Sequence, residues 1–129
     1  MGLLDLFKSQ EEKQKLSHIK NVVAVALADG TVKNSELVAI AAICDREGID
    51  PKEIERCIKN PQKVNFTPPK DHATKVRYLQ DMVLLMMCDG DLDAKEYITC
   101  KLCAEALGFR HEVIDALIND IIEDLKNSL

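Results

Sequence analysis

The sequence predicts an all-α protein, a bundle of about six to seven helices built from two pseudo-repeated three-helix units. Three observations carry that expectation. Apolar residues recur at three-and-four spacing along most of the chain, and strand-like alternation is absent. Helix-start and helix-stop signals punctuate the apolar runs at regular intervals. The two halves also align without a gap at a shift of 60 residues.

Ser9-Gln10-Glu11-Glu12 has the form of a capping box, and Leu16, Ile19, Val22, Val23, Ala26 and Leu27 then mark one face of a first helix ending at Asp29-Gly30. A second helix spans about Ser35 to Glu47. Its Leu37–Cys44 stretch is apolar on all sides, which predicts a helix enclosed by others. Gly48 suits a left-handed helix end with Ile49 as the following apolar contact, and Asp50-Pro51-Lys52-Glu53 opens a third helix closed by Asn60-Pro61. Residues 60–70 hold three of the four prolines and form the one long connection. Further helices are expected from about Asp71 to Cys88, from about Ala94 to Leu107, and from His111 onward. In the last of these Ile114, Leu117, Ile118, Ile121, Ile122 and Leu125 form one stripe. The expected organisation is a single domain over 1–129: an N-terminal extension (1–8), a first repeat (9–59), a linker (60–70) and a second repeat (71–129).

The shift of 60 superposes punctuation rather than identity: Asp29-Gly30 on Asp89-Gly90, Glu36 on Glu96, Gly48 on Gly108, Ile54 on Ile114 and Ile58 on Ile118. A three-helix unit used twice about a pseudo-twofold axis is the physical reading.

Composition bounds the function. A chain of 129 residues suits one domain that needs no disulfide or metal staple to fold. A net charge of −5 disfavours nucleic acid or an anionic membrane as the main partner. No apolar run approaches the ~20 residues of a membrane span. The opening Met1-Gly2-Leu3-Leu4-Asp5 lacks the basic region and cleavage site of a signal peptide. Five scattered cysteines, an odd number, read as reduced thiols in a cytoplasmic protein. The apolar segment Gly2 to Lys8 is expected to dock within the protein, with a second subunit (a homodimer) or a weak membrane contact as alternatives, the last disfavoured by its small net charge.

One constellation carries chemistry. Each half contains D-G-x-[VL]-x-x-x-E, from Asp29 to Glu36 and from Asp89 to Glu96. The pattern matches the back of an EF-hand loop, but the front ligand positions fall on Val25, Leu27, Leu85 and Met87, which cannot bind a hard cation. Two readings of the acids remain. They cap helices, Asp29 and Asp89 by Asx-turns and Asp93 with Glu96 as a capping box. Alternatively they bind a divalent cation, with Ca²⁺, Mg²⁺ or Mn²⁺ suiting an oxygen-only set. Spacing alone favours the caps.

A helix ending in (A/C)-D-G, followed by x-hydrophobe-x-x-x-E and repeated in two halves, resembles the TerB-like family. That family includes the tellurite-resistance protein TerB and the N-terminal domain of DjlA-type co-chaperones. The resemblance covers about residues 10–126. It implies a compact all-α fold, no enzymatic activity, and a stress-associated acidic surface that binds metal. Carried over by position, the acids are Asp29, Glu36, Asp89 and Glu96, with Asp91 and Asp93 added by proximity. The first loop departs from the pattern: Thr31, Lys33, Asn34 and Ser35 stand where members place further acids, so the site is lopsided. The chain has no His-Pro-Asp of a J-domain. A protein-interaction module whose acids act only as caps is the alternative expectation, with the protein partner unnamed.

Other chemistry is weaker. Cys100 and Cys103 align with Ile40 and Ile43, which marks them as core rather than as a zinc or redox pair. Met82, Met86 and Met87 read as core. His18, His72 and His111 stand apart in sequence, and no phosphate-binding loop or nucleophile elbow is present.

Overall fold

The computed structural model describes residues 10–60, 68–90 and 92–128. Within them the chain forms six α-helices and no strand: α1 (Gln10–Leu27), α2 (Asn34–Glu47), α3 (Lys52–Lys59), α4 (His72–Met87), α5 (Ala94–Ala106) and α6 (Glu112–Asn127). The N-terminal extension, Ser9 of the expected capping box, most of the proline-rich connection and Asp91 lie outside the described residues.

Local chemistry accounts for the helix limits. Asp50 Oδ1 accepts the Lys52 N–H at 3.0 Å, Asp71 Oδ2 accepts the Thr74 N–H at 3.0 Å, and Asp93 Oδ1 accepts the Lys95 and Glu96 N–H groups at 2.9 and 3.1 Å. Each bond satisfies a donor that the first helical turn leaves without a partner. Helices α2 and α5 end at Gly48 (φ +70°) and Gly108 (φ +92°), a left-handed conformation that a side chain would oppose.

The central pair is α1 and α4. Helix α1 packs against α2, α3, α4 and α5, while α4 packs against α1, α2, α5 and α6. Ile19, Val22, Val23, Val25 and Ala26 of α1 are buried, as are Leu79, Met82, Val83, Leu85 and Met86 of α4, at positions 60 residues apart. Burying one such side chain contributes about 1.5–3 kcal/mol. Met82 and Met86 are therefore core, and so is the fully buried Cys100.

The same spacing runs through the backbone. Gly48 N–H donates to Asp45 O, and Gly108 N–H to Glu105 O. Ile49 N–H donates to Cys44 O, and Phe109 N–H to Ala104 O. Ile54 N–H donates to Pro51 O, and Ile114 N–H to His111 O.

Helix α2 differs from its expected environment. It buries Glu36, Ile40, Ile43, Cys44 and Glu47, whereas Val38 is 71% exposed. Its all-round apolarity includes Ala42 and Val38, which face outward, while Ala39 and Ala41 are half-buried against the core. Helix α6 also carries its stripe beyond the core: Ile114 and Ile118 are buried, but Leu125 is 59% exposed.

Candidate functional site

The two D-G turns follow helices α1 and α4, and the glutamates that close the motifs sit in the first turns of α2 and α5. Because α1 and α4 lie side by side, the packing brings both corners together. Glu36 and Glu96 are each only 1% exposed, and their carboxyl groups face one another within hydrogen-bonding reach. Glu36 Oε1 also accepts the Lys33 N–H at 2.9 Å, which closes the first turn of α2. Lys33 offers no side-chain acceptor, so this cap is one-sided.

Two buried carboxyls in contact cannot both ionise cheaply. Burial first, and then the neighbouring Glu36 carboxyl, push Glu96 up to about 8; Asp29 and Asp93 add to the effect. Glu96 Oε2 is buried and has no hydrogen-bond partner within the protein. An oxygen in that position is costly unless a proton, a water or a cation satisfies it.

The remaining acids surround this pair in different states. Asp29 Oδ1 accepts the Thr31 N–H at 3.1 Å, forming the expected Asx-turn. Asp93 caps α5. Asp89 Oδ2 receives the Lys33 ammonium at 2.5 Å, a contact that joins the two halves. The same ammonium is held in its charged form by that bond first, with Asp29 and Glu36 contributing. Asp91 lies outside the described residues. Among the described residues no three His, Cys, Asp or Glu side chains converge as a ready metal site. The set that does meet is the Glu36–Glu96 pair, with Asp89 drawn to Lys33.

A second polar cluster was not anticipated. His18 of α1 is fully buried, its Nε2 donates to Asp81 Oδ2 at 2.7 Å, and its ring stacks on Tyr78 with centroids 3.6 Å apart. Arg46 clamps Asp81 with two bonds of 2.9 and 2.6 Å, while the Tyr78 hydroxyl donates to Glu47 Oε1 at 2.9 Å. Burial is the main cause holding the His18 pKa below its ordinary value, although Asp81 opposes it. With His18 neutral, Arg46 and Asp81 balance in charge. The signal in the sequence was Asp81 itself, a lone acid within the apolar run of α4.

Cys44, Cys57 and Cys100 are buried, Cys103 is half-buried and Cys88 is exposed. Burial raises Cys44 and Cys103 to about 11 and Cys100 further, so none is a ready nucleophile or soft ligand. His72 and His111 are exposed. A groove of about 420 Å³ runs between α4 and α6, lined by Leu84, Leu117, Ile121 and Leu125 with Asp120 and Asp124. Among the described residues no helix is long and apolar enough to cross a membrane.

No family model, curated protein or solved structure matches the chain.

Proposed function

We propose that this chain is a non-enzymatic, cytoplasmic TerB-like module of the stress-associated type linked to tellurite resistance, which binds a divalent cation at its paired acidic turns. In this reading two three-helix units related by a pseudo-twofold each contribute one corner, and the ion ties them together. The recurrence of caps, left-handed glycines and backbone hydrogen bonds at a spacing of 60 residues supports the doubled unit.

The observation that carries the cation is the buried Glu36–Glu96 pair with its unpartnered Glu96 Oε2. A cation supplies the charge that the pair now balances with a proton. Glu36 and Glu96 would hold it, with Asp89, Asp29 and Asp93 around them; the oxygen-only donor set suits Ca²⁺, Mg²⁺ or Mn²⁺.

Binding to the folded state alone raises stability by about 2.7 kcal/mol at a hundredfold excess over Kd, roughly 10 °C in melting temperature for a domain of this size. A thermal-shift panel in chelator and in each ion reads this directly. The expected result is a rise with at least one ion that Glu96→Gln abolishes. Unmoved melting points, with Asp89→Ala equally costly in chelator and in metal, would leave the acids as caps.

One observation favours the alternative, a protein-interaction module. Leu84 and Leu125 are 51% and 59% exposed along the α4–α6 groove, an apolar face of the kind a partner helix covers. Loss of a pulled-down partner in Leu84→Asp, with no ion effect on melting, would select it.

A further inference from the structure

We infer that Lys33 is a tethered counter-cation: its ammonium holds Asp89 while the acidic corner is free of metal, and a divalent cation enters in exchange for it. This rests on the cation-binding reading above and adds a competitor built into the chain.

The geometry is specific. Lys33 belongs to the turn of one half, yet its Nζ lies 2.5 Å from Oδ2 of Asp89 in the other. Asp29 and Glu36 also act on the same ammonium, so one side-chain cation serves acids from both turns. Sixty residues on, the matching position is Asp93. One turn therefore carries a cation where the other carries an acid, and the corner holds part of its own neutralising charge.

The ammonium that meets Asp89 is carried on a flexible side chain that is 40% exposed and can return to water. Glu96 Oε2 supplies the second, independent feature: it is buried, accepts no hydrogen bond within the protein and lies beside Glu36, and the ammonium at Asp89 leaves it unsatisfied. A dication meets that oxygen and a carboxylate now taken by Lys33.

Calorimetric titration of the full chain with Mg²⁺, Ca²⁺ and Mn²⁺ separates the outcomes. Lys33→Met removes the ammonium and keeps much of the stem; Lys33→Arg keeps the charge. The expected result is a Kd roughly five- to tenfold tighter for Lys33→Met, the effect of deleting one unit charge several ångströms from a dication, with Lys33→Arg near the unaltered protein. Reductive methylation read by mass spectrometry provides a second measurement: Lys33 labels faster in the saturating ion than in chelator. Binding to Lys33→Met alone would support both ideas. If the unaltered chain binds an ion while Lys33→Met binds it equally or more weakly and Lys33 labelling stays constant, the exchange is wrong and the cation site stands. If no variant binds any ion, both fall together.

Discussion

Asp81 and Glu105 each pair with a histidine, and burial makes their contributions unequal. Asp81 is 8% exposed and joins His18 to Arg46, so removing it strands a buried ring donor and leaves the guanidinium only its 3.4 Å contact with Glu47. Breaking a buried pair by deleting one partner costs about 3 kcal/mol or more. Asp81→Ala should therefore lower the unfolding free energy in denaturant titration by about 3 kcal/mol, the guanidinium being partly hydrated. Glu105 is 53% exposed and meets His111 at 3.2 Å. Glu105→Ala should change stability by no more than about 0.5 kcal/mol. A cost above 1 kcal/mol for Glu105→Ala would contradict this ordering. The sequence shows Asp81 as an acid among apolar neighbours, but it cannot show that Arg46, 35 residues away, supplies the partner. Long-range pairing depends on how helices pack, and periodicity carries none of that information.

At the scale of the helix, the local signals were the legible ones. Asp50 and Asp93 cap the helices that their spacing to the first turn predicts, and Asp71, read only as a helix start, caps in the same way, because a cap bond closes within three residues and requires no tertiary context. Asp71→Ala should cost about 1 kcal/mol of stability, with the helix otherwise retained by circular dichroism. Gly108 has φ +92°, so Gly108→Ala should cost about 1–2 kcal/mol despite the open space around it. The environment of α2 was less legible. Its apolar run predicts enclosure, yet Val38 stands in solvent because one exposed valine beside Ala42 does not oblige a helix to be covered on every side. The same limit applies to the acidic corners. Equivalent spacing identifies Glu36 and Glu96 as matching positions, whereas their contact follows only from α1 and α4 lying side by side. Lys33 marks the first turn as the lopsided one, and its reach to Asp89 emerges only in three dimensions.

Over the whole molecule, the two buried clusters give stability opposite pH dependences. His18 is neutral in the folded state with its pKa below the ordinary 6.5. As pH falls below about 6.5, the unfolded chain takes up a proton that the folded chain resists, and stability declines toward acid. Glu96 behaves in reverse. Its folded pKa of about 8 exceeds the ordinary 4.5, so its contribution is fully present below pH 4.5 and is lost as pH rises to 8. Below about 6.5 the two slopes oppose each other, so stability should change less steeply there than above 6.5. Between 6.5 and 8 only Glu96 acts, and the unfolding free energy should fall by about 1 kcal/mol per pH unit, close to the limit for one proton. Chemical denaturation in chelator across this range measures the curve. Glu96→Gln keeps the shape and removes the titration: its decline above 6.5 should vanish, and the His18 slope below 6.5 should emerge. A parallel decline in both proteins would mean that the buried carboxyl pair does not hold a proton and that the acidic corner is neutralised by other means.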